Sequence, residues 1–208
     1  TMKKLLVLLF SLFLLSSPSV FADDISDFTI EGMSVGESLL DYMTEEEILE
    51  EIELNKDDYS HLREPYKYVE IYIRKEFPTY DWISVIVRNN SLNKYLVKKN
   101  EKYSILFIRG HITYVENFNG CIQKRSEITE ILSEIFPNAK KIEGSGFYAQ
   151  DSSGNSIWDD ISLILDSGDR VRGWCSNWEE DFRIKNSLTE GLSIATQSKT
   201  IYSWLTNY

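Results

Sequence analysis

The sequence is poor in the residues that most often build metal or catalytic centres. Its 208 residues include two histidines, His61 and His111, and two cysteines, Cys121 and Cys175. Neither Gly-x-Ser-x-Gly nor His-Glu-x-x-His occurs, so the usual serine-hydrolase and zinc-protease motifs are missing. The wide spacing of the cysteines does not form a zinc site by itself. We therefore expect no metal, no cofactor and no catalytic residue. The alternative is an enzyme or small-ligand carrier with a non-obvious acidic site.

Long apolar runs are also scarce. The one that exists, Leu5 to Leu15, follows Lys3 and Lys4 and precedes small residues at the −3 and −1 positions of a cleavage site before Asp23. This is the pattern of a secretory signal peptide, and the run is too short to span a membrane comfortably. We predict that residues 1–22 are removed and that the mature protein is periplasmic or secreted. An uncleaved N-terminal anchor is the alternative.

Positive charge is scarce relative to negative charge. The chain has 22 basic and 33 acidic residues, and without Lys3 and Lys4 the balance is 20 − 33 = −13. A surface of this sign repels nucleic acids and anionic membranes. We expect neither as a partner, and no membrane span after signal cleavage. An envelope or extracellular protein is the expected partner.

The two cysteines suggest a covalent link. In an oxidising compartment such a pair tends to form a disulfide, so we predict Cys121–Cys175. Two buried free thiols are the alternative. A nucleophile pair of Cys121 and His111 would be abolished by the disulfide.

Helix signals open the mature chain. Ser34-x-x-Glu37 and Thr44-x-x-Glu47 both have the form of a capping box, and they predict a helical hairpin after a short strand at Phe28–Ile30. Further on, apolar residues at helical spacing predict a helix over Cys121–Phe136, which Pro137 ends. Ser198 is expected to cap a short final helix.

Between these helices, side-chain alternation with period two predicts an antiparallel sheet. The fold class is therefore α+β, with helices on one face of the sheet. Residues Gly144 to Gly146 are predicted to connect the preceding helix to the next strand. The predicted strands are Val69–Ile73, Ile83–Val87, Tyr95–Val97, Tyr103–Ile108, Ile112–Val115, Phe147–Gln150, Ile157–Leu165, Val171–Cys175 and Leu192–Thr196.

The chain contains a possible internal duplication. Tyr80–Val87 and Trp158–Leu165 match at four of eight positions with an offset of 78 residues. Residues 23–118 and 119–208 would then be two halves, each with a helical segment followed by a β-meander of about four strands. Chance similarity between strands is the alternative.

Two polar segments carry oxygen ligands around a glycine, Asp151–Asn155 and Asp166–Asp169. Calcium loops use such residues but need more spaced carboxylates and a closing glutamate. We interpret both segments as hairpin turns.

One face of the predicted sheet has the composition of a binding surface. If Val69, Ile83, Leu163 and their period-two partners face the helices, the opposite face carries aromatic residues and arginines. This composition is typical of protein-binding patches, although the same residues could instead pack against the loop at 177–187 or against the partner repeat. The candidate binding residues are Tyr72, Ile86, Ile164, Arg172 and Trp174, with Arg74 and Arg88 beside them.

Several segments together resemble a family of small secreted proteins from marine bacteria. They are the stretch IEGMSVGESLLDYMTEEEI, the Gly120-Cys121 helix start, DSSGNS at 151–156, and Cys175-x-x-Trp178. This resemblance implies no activity and no site residues. A helical hairpin opened by Gly-Met-Ser and followed by a sheet is also similar in shape to the repeats of β-lactamase inhibitor proteins and to outer-membrane assembly lipoproteins of the BamE type. That likeness concerns the fold alone.

Overall fold

The structure is a computed structural model that describes residues 24–89 and 101–206. The signal peptide predicted at residues 1–22 and the strand predicted at Tyr95–Val97 lie outside these ranges. The described chain forms a seven-stranded antiparallel sheet flanked by helices. The α+β prediction is therefore confirmed.

The strands follow the order β1-β2-β3-β7-β6-β5-β4 across the sheet. Residues 24–113 contribute β1 to β3, and residues 118–206 contribute the other four, so both predicted halves share one sheet. The elements are α1 Glu45–Asn55, β1 Tyr68–Ile73, β2 Trp82–Arg88, β3 Ile105–Thr113, α2 Phe118–Ile135, β4 Lys140–Phe147, β5 Ile157–Ile164, β6 Arg170–Asn177, α3 Glu180–Lys185, β7 Gly191–Gln197 and α4 Lys199–Thr206.

One face of the sheet, here called the covered face, packs against α1 and α2. Alternate residues of each strand point to this side, and those at its centre are aliphatic. Ile71 pairs with Val85, Val85 pairs with Ile108, and all three are fully buried. Ile48 and Ile52 of α1 belong to the same core.

The predicted disulfide between Cys121 and Cys175 is present on the covered face. It joins the first turns of α2 to β6, with Cα atoms 6.0 Å apart. Both cysteines are buried, so the bond fixes the long helix to the sheet from inside the core.

The opposite face, here called the open face, carries the last helix of the described chain at one end. Helix α4 lies there, and Ile201 and Trp204 form a buried cluster with Ile86, Phe107 and other residues. The hydroxyl of Ser198 accepts a hydrogen bond from Ile201 N at 3.3 Å, which confirms the predicted cap. The last helix therefore lies on the face opposite α1 and α2.

The N-terminal segment differs from its prediction. Phe28–Ile30 forms only an isolated bridge between Ile30 and Met33. Glu37 accepts a hydrogen bond from Ser34 N as predicted, but the helical turn that follows is a 3-10 turn of three residues, Leu39–Asp41. The second capping box, at Thr44, is complete and starts α1.

The predicted connection at Gly144–Gly146 and the predicted strand at Phe147–Gln150 are both wrong in position. Gly144 and Gly146 lie inside β4, which ends at Phe147. Glycine is uncommon within strands unless another group approaches the backbone closely. Here the indole of Trp158 on β5 occupies the space above both glycines.

The offset of 78 residues that suggests an internal duplication aligns one pair of strands and not the neighbouring pair. The offset of 78 residues places β2 on β5 in the same side-chain phase. The same offset moves β1 to residues 146–151, whereas β4 occupies Lys140–Phe147. The β1-β2 ladder has six paired positions and the β4-β5 ladder eight, while nine residues separate the last paired residues of both hairpins.

No helix within residues 24–89 and 101–206 has the length and apolar character needed to cross a membrane.

Candidate binding site on the open sheet face

The side chains of the open face are set by strand phase. Because Ile71 and Val85 point to the helices, their neighbours Tyr72 and Ser84 point the other way. Cross-strand pairing aligns these residues into rows that run perpendicular to the strands. One row contains Tyr72, Ser84, Arg109, Ala195, Arg172, Ser162 and Ile142, and the next contains Trp82, His111, Ser193, Trp174, Asp160 and Gly144.

All five candidate binding residues lie on this face, but they do not converge. Arg172 and Trp174 are adjacent on β6. Tyr72 on β1 and Ile164 on β5 are separated by five strand spacings, about 24 Å. The face is therefore an extended surface and not a pocket centred on these residues.

The structure corrects the expectation for Ile86. Its side chain is 1% exposed because α4 covers it, with Trp204 in the same cluster. Tyr72, Ile164, Arg172 and Trp174 are partly exposed. Arg74, expected beside them, forms an ion pair with Glu51 of α1 at the sheet edge.

Trp82 is the residue of this face that the sequence analysis did not single out and that makes the most ring contacts. Its indole stacks on His111, with ring centroids 4.7 Å apart and planes inclined by 16°. Tyr72 contacts it from the neighbouring strand at 5.7 Å. The guanidinium of Arg109 lies 4.8 Å from its ring centre. These contacts fix the ring while leaving it partly exposed.

A buried acid positions Arg109. Glu70 is 4% exposed and accepts hydrogen bonds from Arg109 Nη2, Ser84 Oγ and Tyr59 Oη, each at 2.5 Å. Burial opposes the charge on Arg109, but Glu70, Tyr72 and Tyr59 together outweigh it and raise the pKa of the guanidinium. Arg109 therefore stays charged and is held against Trp82.

A second arginine is held in the same way on the other side of the face. Arg172 forms an ion pair with Asp160 on the adjacent strand. Its guanidinium lies 4.8 Å from the ring centre of Trp174, within the range of a cation–π contact. The side chain of Arg172 is 41% exposed, so it can contact a ligand without rearrangement.

Trp158 forms a flat platform next to this pair. A Cβ atom at Gly144 or Gly146 would lie 3.3 or 3.1 Å from its indole, so the ring lies directly on the backbone of β4. Together, Tyr72, Trp82, Trp174 and Trp158 form what we call the aromatic track. It crosses the open face from β1 to β5 and contains Arg109 and Arg172.

Ser193 and His111 are the nearest approach to a catalytic pair on this face. The Ser193 hydroxyl lies 3.0 Å from His111 Nδ1, and His111 Nε2 lies 3.1 Å from the Glu190 carbonyl oxygen. Since that carbonyl can only accept, Nε2 carries the proton of the neutral ring and Nδ1 accepts from Ser193. Burial, assisted by the charge of Arg109, lowers the pKa of His111 to about 4. Both side chains are at most 4% exposed, and the pair joins β3 to β7.

The disulfide removes Cys121 as a nucleophile. Cys121 also lies on the covered face, whereas His111 points to the open face, so the sheet separates the two side chains.

In the polar turn at Asp151–Asn155, the carboxylate of Asp151 accepts hydrogen bonds from residues of the same segment. Asp151 accepts hydrogen bonds from the backbone and hydroxyl of both Ser153 and Ser156, at 2.7 to 3.0 Å. These bonds, the hydroxyls first, hold the pKa of Asp151 well below its usual range. Within the described ranges, no group of three or more His, Cys, Asp or Glu residues is placed to hold a metal ion.

An open depression of about 490 Å³ lies at the β1–β2 end of the aromatic track. Its lining combines Tyr72 and Trp82 with charged residues of the connecting segment, among them Arg74 and Asp81. It extends the partly exposed surface of the track to the edge of the sheet.

The sequence contained a signal for the residues that were overlooked. Once Ile83 and Val85 are assigned inward, Trp82 must point outward. The same argument places Trp158 on the face of the sheet that Ile161 and Leu163 do not point to. Arg109 and His111 could be placed only after β3 was assigned to Ile105–Thr113, because an apolar run conceals its phase.

Comparison with family models, with curated proteins and with solved structures finds no match to this chain.

Proposed function

We propose that this protein is a secreted or periplasmic binding module that acts without catalysis and uses the aromatic track of its open face. The observation that carries the proposal is the combination of four partly exposed aromatic rings with two arginines, Arg109 and Arg172, each held by a carboxylate. Tryptophan, tyrosine and arginine dominate the energetics of protein interfaces.

The track is already rigid before any ligand binds. Trp82 is held by His111 and Arg109, and Trp158 lies on the glycines of β4. Rigid side chains lose little conformational entropy on binding, so more of the contact energy appears as affinity. This arrangement favours recognition of a preformed surface.

The arginines also favour a particular partner chemistry. The mature chain is predicted to carry a net charge of −13, so a cationic partner would be attracted almost anywhere on its surface. The track, by contrast, concentrates two guanidinium groups between aromatic rings. We infer that it contacts a protein surface that presents carboxylates next to apolar side chains, on an envelope or extracellular protein.

Catalysis is the less favoured alternative. The Ser193–His111 pair is enclosed, and a histidine with a pKa of about 4 is a weak base near neutral pH. Asp160 and Glu70 are each paired with an arginine. If the protein were an enzyme, the depression beside Tyr72 and Trp82 would be the first candidate for its active site.

Binding can be tested with immobilised mature protein and an envelope and culture-medium extract of the producing organism. Wild type should retain a ligand that Trp174→Ala and Trp82→Ala retain at least about tenfold less, since both rings are hot-spot types. Tyr66→Ala is the matched control, because Tyr66 is 51% exposed but lies in the loop before β1.

The chemical class of the ligand is tested in the same experiment. Protease treatment of the extract should abolish capture, whereas periodate oxidation, which destroys glycans, should leave it intact. Equal capture by wild type and both tryptophan variants would contradict the proposal. Loss after periodate alone would replace the protein partner with a carbohydrate.

The predicted location is tested separately by the mature N-terminus. Expression in a bacterium with an intact secretion pathway should give a protein that begins at Asp23 in the periplasm or medium. The disulfide between Cys121 and Cys175 supports an oxidising compartment. Full-length protein in the cytosol would overturn this part of the proposal.

A further inference from the structure

The two edges of the sheet differ in how their free backbone groups are treated. At the β1 edge, α1 lies alongside the strand, and Glu51 accepts a hydrogen bond from the outward Tyr72 N at 3.3 Å. Glu51 also pairs with Arg74. Glu51 belongs to α1, but its carboxylate occupies an outward N–H of the edge strand. A charged group in this position hinders the addition of another strand.

Nothing in the described part of the chain covers the β4 edge in a comparable way. In the described chain, β4 pairs only with β5, and six of its eight residues are exposed. Ile142 is 42% and Phe147 68% exposed. A strand of this length presents a row of unpaired donors and acceptors to any chain that approaches it.

The outward backbone groups of β4 can be identified from the ladder. Tyr148 N donates to Ser156 O at 2.9 Å, and hydrogen-bonded pairs alternate along an antiparallel ladder. Even-numbered residues of β4 therefore bond to β5. Lys141, Glu143, Ser145 and Phe147 point their N–H and C=O groups outward.

This edge is complementary to itself. In an antiparallel pairing of two β4 strands about Ile142, Lys141 of each copy lies opposite Glu143 of the other, as a hydrogen-bonded pair. Opposite charges at such positions stabilise a sheet, whereas like charges oppose it. Centring the pairing on Lys141 or Glu143 would place two like charges together, so charge favours the Ile142 register over both of its neighbours. In the single chain Lys141 and Glu143 already form an ion pair at 2.6 Å.

We propose that the protein associates with a second copy of itself through β4, with a two-fold axis at Ile142, to form a continuous fourteen-stranded sheet. The axis is perpendicular to the sheet, so the open faces of both copies lie on the same side. Each Ile142 side chain, now 42% exposed, packs against its equivalent on that side. The two aromatic tracks then belong to one surface.

The oligomeric state of the mature, disulfide-bonded chain tests the proposal. Sedimentation equilibrium of wild type between micromolar and millimolar concentrations should give a reversible monomer–dimer equilibrium. Glu143→Pro should raise the dimer Kd at least about tenfold, because proline removes the outward donor opposite Lys141 of the other copy and spares the β5 ladder. Glu143→Ala is the matched control, because it removes the same carboxylate but keeps the donor, and it should weaken the dimer less.

Charge exchange tests the register. Lys141→Glu should weaken the dimer, because it places glutamates opposite each other. Adding Glu143→Lys in the same chain should restore it, since the complementary pairs return with reversed sign. The tryptophan variants of the open face should leave the Kd unchanged, which separates this proposal from the proposed function.

A covalent test gives the geometry directly. At the proposed register, Ile142→Cys brings two thiols together across the axis and should yield a disulfide-linked dimer on mild oxidation. Ser145→Cys, three residues from the axis on the same strand, should not, because about 20 Å separates the two sites. A wild type that stays monomeric at millimolar concentration, or equal cross-linking at both positions, would overturn the proposal. So would a dimer that Glu143→Pro and Lys141→Glu do not weaken.

Discussion

The two faces of the sheet are formed by the same strands but carry different kinds of side chain. The covered face pairs aliphatic residues such as Ile71, Val85 and Ile108 under two helices and holds the disulfide. The open face carries arginines, carboxylates, a histidine and tryptophans. The α4 end of the open face is apolar and buried. Hydrophobic burial on one side stabilises the fold, which leaves the other side free to carry side chains selected for contact.

Removing the disulfide should produce the largest effect on this contrast. The Cys121→Ala, Cys175→Ala variant should lose about 4 kcal/mol of unfolding free energy, because the bond closes a loop of 54 residues. Denaturant titration measures the loss, and reduction of wild type should reproduce it. A loss below about 1 kcal/mol would mean that the covered face does not depend on its covalent link.

Substitution of Arg109 tests whether its ion pair with Glu70 makes the open face contribute to stability. Arg109→Met should cost about 3 kcal/mol, because it leaves Glu70 buried without its charged partner. Equilibrium unfolding measures the cost. The double variant Glu70→Gln, Arg109→Met removes both charges and should recover most of the stability. If the single and double variants were equally unstable, packing against Trp82 and not charge would explain the effect.

His111 makes the open face sensitive to acid. Its folded pKa of about 4 lies below the usual 6.5, so the unfolded state binds the proton more readily. Stability is therefore complete above pH 6.5 and falls as the pH decreases toward 4. We expect a loss of about 2.5 kcal/mol between pH 7 and 4.5.

The control for this acid sensitivity is His111→Gln. Its stability should change much less over the same pH range, whatever its absolute value, because glutamine does not titrate. Parallel pH profiles for variant and wild type would contradict the assignment.

The smallest effect is expected where the open face is most exposed. Trp174→Ala and Tyr72→Ala should each change the unfolding free energy by about 1 kcal/mol or less, because their contacts are partly solvated. Ile71→Ala on the covered face should cost about 2 to 5 kcal/mol. Thermal unfolding of the three variants measures the contrast. A collapsed transition for Trp174→Ala would assign its indole to the core.

The strands were predictable because inward and outward residues alternate. Ile83 and Val85 set the phase of β2, and the same rule placed Arg172 and Trp174 together on β6. The burial of Ile86 was not predictable in this way, because alternation gives the side of the sheet but not what covers it. The position of α4 depends on the contacts of Trp204, which are distant in sequence.

The β4 strand was misplaced for a different reason. Glycine is typical of turns, so Gly144 and Gly146 by themselves predict a connection between a helix and a strand. Their place in a strand depends on Trp158, which lies on the adjacent strand and fills the space above them. Aliphatic Ile142 alone was too weak a signal to extend the strand across the glycines.

The position of β7 has a consequence for how the chain reaches its folded state. This strand, Gly191–Gln197, is the last in sequence yet lies between β3 and β6. Until it is available, β1-β2-β3 and β6-β5-β4 cannot join, and β3 and β6 each present a bare edge. A chain that emerges from its N-terminus must therefore wait for nearly its whole length before the sheet closes. Because the last twenty residues include β7, we expect their loss to prevent the sheet from closing and to abolish the native state.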